Sequence, residues 1–213
     1  MFQNAVNFNN GEPVNISVPN SPLIMTMNSN QNVSQMFLNA SSFNQKLKQE
    51  SSGTSSLLID WDLTACTDMS KMFENAVNFN NGAPIITPSL GTPLIFNDTG
   101  YNVTNMQYML KGCSSFSQIL LVDLGAIPDG VIGGYNPLEG MLAGTSMTVP
   151  NYTATLENWI DTLTGHPYLS GVKKVPYNIT FTRPSTVTTP TAGSQQAAAE
   201  NKLSASPWNW VFN

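Results

Sequence analysis

The sequence predicts an α/β repeat solenoid, with a short helix and a short strand in each repeat and an α+β cap at its C-terminal end. A block of the form M-F-x-N-A-x-x-F-N recurs at a nearly constant spacing, its apolar residues follow a helical period, and the last third of the chain departs from the repeat. Such self-similarity indicates units that bury their apolar faces only by stacking on their neighbours.

The block occurs five times. Blocks 1 to 5 begin at Met1, Met36, Met72, Met109 and Met141, so the successive spacings are 35, 36, 37 and 32 residues. The first three read MFQNAVNFNN, MFLNASSFNQ and MFENAVNFNN, the fourth reads MLKGCSSFSQ, and the fifth is a degenerate MLAGTSM. The predicted solenoid of four to five repeats therefore covers residues 1–149, and residues 150–213 form the predicted cap.

Within each block the apolar spacing predicts a helix of about two turns. In block 2, Val33, Met36, Phe37 and Ala40 fall at i, i+3, i+4 and i+7, which is one face of a helix. Asn32, Asp68 and Asn105 precede these runs as favoured N-caps. The predicted repeat core consists of Met1, Phe2, Ala5, Phe8, Met36, Phe37, Ala40, Phe43, Met72, Phe73, Ala76, Phe79, Met109, Leu110, Cys113 and Phe116.

One position in every block holds Asn or Gly, the residues that adopt the left-handed conformation most easily. We expect these residues to stop the helices, and they are Asn4, Asn39, Asn75, Gly112 and Gly144. Strands are expected at residues 57–61, 84–86, 94–96 and 119–122, stacked as a narrow, mainly parallel ladder. The polar or Pro/Gly-rich connections at residues 46–56 and 81–93 are expected to form loops.

The cap region has its own pattern. Residues 151–163 predict the strongest helix, with Asn151 as its cap and an apolar stripe of Tyr152, Leu156 and Trp159, ended by Gly165 and Pro167. Residues 178–189 read as a strand interrupted by Pro184, and Ser194 is placed to cap a helix through Leu203. Trp208, Trp210 and Phe212 add apolar area that is suited to covering a last repeat.

The repeat resembles the BspA-type leucine-rich repeat family, found in surface proteins of bacteria and mycoplasmas, in protists and in large DNA viruses. The resemblance rests on Trp61-Asp62, Met69, Met72-Phe73, Ala76 and Phe79-Asn80 in order, and on the segment Asn102-Val103-Thr104-Asn105-Met106. Asn151-Tyr152, Leu156 and Trp159, then residues 196–203 and Trp208 to Trp210, are similar to the end of family members. It implies a leucine-rich-repeat-like solenoid with a role in adhesion and surface interaction.

Composition limits the partners. Charged residues make up 10% of the chain and the net charge is −5, which argues against nucleic acid because such binding needs a Lys/Arg footprint. No apolar stretch is long enough for membrane insertion, and the N-terminal residues do not resemble a signal peptide. Because Met1 falls directly on the repeat's Met, the first predicted helix lacks its beginning. We expect missing residues or another chain to cover this end, with self-association as one outcome.

The candidates for chemistry are sparse. His166 stands at a helix end with no nucleophile motif beside it, so it is read as a loop or capping residue. Asp60 and Asp62 alternate like calcium ligands but lack further ligands at loop spacing. Gly130, Gly133 and Gly134 lack the G-K-[ST] ending of a phosphate loop and predict a turn. No catalytic, metal or cofactor site is predicted; Trp208 and Trp210 are read as core rather than as a ligand platform.

Cys66 and Cys113 occupy different positions of their repeats and are read as small buried residues, with a disulfide as the alternative. Seven N-x-[ST] sequons begin at Asn15, Asn32, Asn39, Asn97, Asn102, Asn151 and Asn178. An Asn-rich chain contains many by chance, and Asn15 and Asn97 are the sites favoured for glycosylation because they lie in predicted loops.

These observations favour a non-enzymatic structural or interaction protein. It would present a rigid polar surface to a protein or glycan partner at a cell surface or on a virion. A minor capsid or structural protein of a large DNA virus is the first alternative. A glycan-binding or glycan-active module is the second, although no carboxylate pair stands in a recognisable setting.

Overall fold

A computed structural model describes residues 2–9, 32–45, 65–83, 93–96, 102–130, 134–160 and 175–213, together with the pairs 23–24 and 47–48. Several sequence predictions lie outside these residues: Met1, the strands at 57–61 and 84–86, the Trp61-Asp62 pair, Asp60, Asn15, Asn97, Gly133, Gly165, His166 and Pro167.

The described elements are two-residue strands in the repeat region, and two helices with two further strands after it. In chain order they are β1 (Leu23–Ile24), β2 (Leu47–Lys48), β3 (Leu94–Ile95), β4 (Leu120–Leu121), α1 (Val149–Ile160), β5 (Thr180–Phe181), α2 (Gln195–Ser204) and β6 (Val211–Phe212). The strands pair in parallel as β1 with β2, β3 with β4 and β5 with β6. The predicted strands at 94–96 and 119–122 are thus present in shortened form.

The repeat block is a chain of tight turns, so the predicted two-turn helix is wrong. In block 2 the amides of Met36, Leu38 and Ala40 donate to the carbonyl three residues earlier, at 3.3, 3.2 and 3.0 Å. The backbone reaches this geometry because Gln35 and Asn39 both have φ of +58°, which an α-helix does not allow. The i, i+3, i+4, i+7 spacing still places its apolar side chains on the inner side.

The amides between these turns bind the next block instead of their own. At the Phe position, Phe2 donates to Met36 O at 2.9 Å, Phe37 to Met72 O at 2.8 Å, Phe73 to Met109 O at 2.9 Å, and Leu110 to Met141 O at 3.0 Å. The Asn position repeats this, since Asn39 N lies 2.8 Å from Glu74 O. An α-helix would use these amides internally, so stacking of the blocks and helix formation exclude each other.

The repeat also appears in the backbone angles. The five positions expected to be left-handed have positive φ: Asn4 (59°), Asn39 (58°), Asn75 (59°), Gly112 (75°) and Gly144 (77°). They end turns rather than helices. Asn32, Asp68 and Asn105 cap these turns, because each side-chain Oδ1 accepts the amide two residues later, at 2.8, 2.8 and 3.1 Å.

Among the glycines that the structure describes, Gly144 lies closest to the backbone of a neighbouring block. A Cβ at Gly144 would lie 3.2 Å from both Cα and N of Gly112. Gly112 cannot retreat freely, since its amide donates to Ala143 O at 2.8 Å. Gly144→Ala is therefore expected to lower the free energy of unfolding by about 3 kcal/mol, from overpacking and left-handed strain together.

Gly134→Ala is the matched control for this substitution. Gly134 has φ of +84° but nothing within 4 Å of its Cβ position, so only the backbone strain of about 1 kcal/mol applies. Urea denaturation of both variants measures the difference. Equal losses would contradict the close contact between blocks 4 and 5.

The core of the stack is built from two columns of phenylalanine rings. Within a block, the rings of Phe37 and Phe43 are stacked with centroids 4.1 Å apart, and the rings of Phe73 and Phe79 repeat this distance. Between blocks, Phe37 and Phe73 lie 5.3 Å apart with an interplanar angle of 2°. In block 1, Phe2, Ala5 and Phe8 are only partly buried, in contrast to the core burial predicted for them.

The region after the repeats packs against blocks 4 and 5. Helix α1 begins at Val149, so Asn151 lies inside its first turn and is not the predicted cap. Its buried side chain donates instead to Ser117 O at 2.6 Å. Ser194 caps α2 by accepting the amide of Ala197, as the sequence predicts. The predicted strand at residues 178–189 is reduced to β5.

Candidate interaction surface

One exposed edge of the stack carries the same side-chain positions from block to block. The ladder edge comprises the residues on either side of the inward Ala or Cys of blocks 1 to 4: Asn4, Val6, Asn39, Ser41, Asn75, Val77, Gly112 and Ser114. Val6 is 49% exposed and Val77 is 37% exposed, whereas the intervening Ala40 and Ala76 are fully buried. The turn geometry thus presents alternate residues to solvent.

Hydrogen bonds hold the ladder edge in a fixed arrangement. The side-chain amide of Asn39 donates from Nδ2 to Asn4 Oδ1 at 2.8 Å, and that of Asn75 donates to Asn39 Oδ1 at 3.1 Å. Ser41 and Ser114 donate their hydroxyls to the carbonyl of the Val in the preceding block. Because the Asn and Ser side chains of the ladder edge are bonded to the neighbouring block, they lose little conformational entropy when a partner binds.

A second, buried ladder explains the final Asn of the block. Asn9 Oδ1 accepts the amide of Asn44 at 2.7 Å, Asn44 Oδ1 accepts that of Asn80 at 2.8 Å, and Asn80 Oδ1 accepts that of Ser117 at 2.9 Å. These side chains are almost fully buried. They satisfy backbone amides inside the stack, and their role is structural.

Charged side chains gather beside the ladder edge in blocks 3 to 5. The charged patch comprises Lys71, Glu74, Gln107, Tyr108, Lys111 and Glu139. The Tyr108 hydroxyl donates to Glu139 at 2.6 Å, and Lys111 Nζ lies 4.4 Å from the Tyr108 ring centroid. The bond to Glu139 raises the pKa of Tyr108. Lys111 also pairs with Glu74 at 3.3 Å, so opposite charges alternate across the patch.

Both cysteines are buried and free, which leaves the disulfide alternative unsupported. Burial raises the pKa of Cys113, whose thiol donates to Phe73 O at 2.9 Å. Burial likewise raises the pKa of Cys66. Neither thiol is in the exposed, electropositive setting that a reactive cysteine requires.

Because burial raises the pKa of Cys113, the folded protein is expected to lose stability at alkaline pH. The folded state favours the neutral thiol. The stability that Cys113 contributes is therefore fully present below the unfolded pKa of about 8.5 and is lost as pH rises above that value. Between pH 8.5 and 10.5 this thiol alone is expected to remove roughly 2 kcal/mol from the free energy of unfolding.

Cys113→Ala is the control, because Ala occupies the equivalent position in blocks 1 to 3. Urea denaturation at both pH values should show a smaller alkaline loss in this variant. Titration of the other groups is common to both chains and cancels. An identical alkaline loss would contradict the assignment to Cys113.

The remaining candidate residues are placed in structural settings where they are described. Trp210 is 2% exposed and donates its indole N–H to Pro176 O at 2.7 Å, which fits core packing better than a ligand platform. Gly130 and Gly134 have positive φ, as a turn requires. Among the described sequons, Asn151 is buried and Asn39 is bonded within the ladder edge, while Asn32, Asn102 and Asn178 are exposed.

Within the described ranges, no three His, Cys, Asp or Glu side chains come together as a metal site. Across the same ranges, no helix is both long and apolar enough to cross a membrane.

Comparison with known families assigns the repeat region. The family model described as "Mycoplasma protein of unknown function, DUF285" matches residues 1–120, which is more than half of the chain. The chain belongs to the DUF285 family. DUF285 is related to the BspA-like repeats, so the resemblance is confirmed at this broader level. No curated protein and no solved structure matched.

The DUF285 match covers blocks 1 to 4 and therefore both ladders. Sequence reasoning missed the charged patch, the buried ladder and the left-handed Gln35, Lys71 and Tyr108. The sequence did contain a signal for these three left-handed residues, because Gly140 holds the equivalent position in block 5. The Asn after the second Phe in blocks 1 to 3 was a similar signal for the buried ladder of this DUF285 member.

Proposed function

We propose that the protein is a non-enzymatic, solenoid-type repeat scaffold that binds a protein partner, or mediates adhesion, at a cell or particle surface. The observation that carries this proposal is the ladder edge, an ordered row of polar and small apolar side chains in four consecutive blocks. The charged patch beside it adds alternating charges that would orient a partner. The finer BspA-type assignment belongs to the same proposal.

The settings of the chemical candidates support a binding role over catalysis. The thiols are buried and protonated, the described glycines form turns, and Trp210 is part of the core. The residues that repeat are used to join one block to the next. Exposed positions vary between blocks as well, since Val alternates with Ser on the ladder edge.

Binding to intact surfaces tests the proposal. The labelled chain is titrated onto intact cells of the source organism and, in a separate arm, onto purified particles from it. Val77→Glu/Ser114→Glu places two charges on the ladder edge, and we expect it to weaken saturable binding at least tenfold. Val211→Glu/Ala198→Glu adds the same charge at exposed positions near the C-terminus and should bind normally.

Three outcomes would contradict the proposal. Binding that does not saturate would exclude a specific partner. Equal binding by the two charged variants would exclude the ladder edge. Glycan hydrolysis by the purified chain, lost on Asp60→Asn or His166→Ala, would establish an enzyme instead.

A further inference from the structure

The ladder edge contains an outer row of side chains that repeats after two blocks rather than one. The outer row comprises Val6, Ser41, Val77 and Ser114, so blocks 1 and 3 offer methyl groups and blocks 2 and 4 offer hydroxyl groups. Val6 and Val77 are 49% and 37% exposed. The inward position beside this row holds a small residue, Ala or Cys, in all four blocks. The two-block period therefore belongs to the exposed side of the turn.

The two serines of the outer row are held in place and still able to accept hydrogen bonds. The Ser41 hydroxyl donates to Val6 O at 3.2 Å, and the Ser114 hydroxyl donates to Val77 O at 3.3 Å. A hydroxyl has one hydrogen to donate and two lone pairs with which to accept. A ligand that suits the outer row therefore brings donors to every second block and apolar C–H surface to the blocks between.

The phenylalanine rings give the distance between blocks. The centroids of Phe2 and Phe37 and those of Phe37 and Phe73 are both 5.3 Å apart, with interplanar angles of 9° and 2°. The stack thus advances with little twist, and like residues of the outer row recur after two such steps. A peptide strand advances only about 3.3 Å per residue and repeats its side-chain direction after two residues, so its period is much shorter.

An extended β-1,4-linked chain of pyranose sugars has the repeat that the outer row requires. Each sugar advances the chain by nearly the height of one block and is turned over relative to the sugar before it. The chain therefore repeats after two sugars. Hydroxyl groups surround the rim of each ring, and C–H groups cover its faces. The ladder edge consists of Asn, Val, Ser and Gly and carries no charge, which suits an uncharged sugar.

We propose that the ladder edge binds an extended, uncharged β-1,4-linked glycan that lies along the stack, with one sugar on each of blocks 1 to 4. The oxygens of Ser41 and Ser114 accept hydrogen bonds from hydroxyl groups of alternate sugars. Val6 and Val77 pack against C–H groups of the sugars between. This inference rests on the proposed function, because it names the surface component that the scaffold binds.

Titration with soluble oligosaccharides, followed by amide chemical shifts, tests length and linkage. Cellotetraose reaches all four blocks and cellobiose only two, so the dissociation constant should be at least tenfold lower for cellotetraose. Maltotetraose contains the same sugars in α-1,4 linkage and follows a curved path, so it should bind at least tenfold more weakly than cellotetraose. The shift changes should centre on Ser41, Val77 and Ser114. Equal binding of the two tetrasaccharides would overturn the proposal.

Val77→Ser tests the two-block period. Ser occupies the equivalent position in blocks 2 and 4, so the fold accepts it, and urea denaturation checks this. Loss of the methyl groups from the middle of the outer row should weaken cellotetraose binding at least fivefold. Val211→Ser makes the same change at a residue that is 56% exposed outside the ladder edge and should bind normally. Equal affinities of the two variants would exclude the outer row as the glycan site.

The outcome is separable from the proposed function. A chain that binds intact cells through its ladder edge but shows no shift changes with cellotetraose overturns only the glycan proposal. Loss of that cell binding after protease treatment of the cells would then identify a protein partner. A chain that binds cellotetraose but neither cells nor particles overturns only the surface-binding role.

Discussion

Phe73→Ala is expected to lower the free energy of unfolding by about 4 kcal/mol. Phe73 is fully buried, and its ring is stacked on Phe79 in its own block and on Phe37 in the preceding one. Truncation removes a ring from the middle of a column, where the backbone hydrogen bonds between blocks prevent the structure from collapsing into the space. Urea denaturation with circular dichroism detection measures the loss.

Phe73→Leu is the matched control, because Leu110 occupies the equivalent position in block 4 and is fully buried there. We expect a loss below about 1.5 kcal/mol, since an apolar side chain that the repeat already accommodates fills most of the volume. A loss below 1 kcal/mol for the Ala variant would show that the phenylalanine columns do not hold the blocks together.

Arg183→Met is expected to cost about 3 to 5 kcal/mol. Arg183 forms a two-pronged ion pair with Glu200 of α2, at 3.0 Å from Nε to Oε1 and 2.6 Å from Nη2 to Oε2. The Glu200 side chain is 5% exposed, so removing its partner leaves a buried carboxylate without a countercharge. The Glu200 interaction also raises the pKa of Arg183.

The double variant Arg183→Met/Glu200→Leu separates the ion pair from packing. It should recover most of the stability lost in Arg183→Met, because no buried charge then remains. Urea denaturation of the parent, both single variants and the double variant completes the cycle. Additive losses would contradict a direct coupling between Arg183, which follows β5, and Glu200 of α2.

The sequence predicted which residues lie inside better than it predicted the backbone that places them there. Phe37, Phe73 and Ala76 are buried as their spacing indicated. The same spacing, however, suits both a helix and a series of turns with two left-handed residues. Asn39 indicated one of these residues, but Gln35 did not indicate the other, because Gln rarely adopts positive φ.

The candidate surface was less predictable because it depends on contacts between blocks. Asn39 and Asn75 are 36 residues apart, and the hydrogen bond between their side chains follows only from the stacking register. The charged patch likewise joins Gln107 to Glu139 across two blocks. Once the block is known to be a stack of turns, residues on either side of the buried Ala become the natural place to look for exposed ladders.

The most direct test of the stacked-turn scaffold is the coupling across its hydrogen bonds in a perdeuterated, ¹⁵N,¹³C-labelled sample. The stack predicts scalar couplings from the Phe37 amide to the Met72 carbonyl and from the Phe73 amide to the Met109 carbonyl. Couplings from these amides to carbonyls four residues earlier, at Val33 and Met69, would show that each block is an isolated helix and would contradict the account.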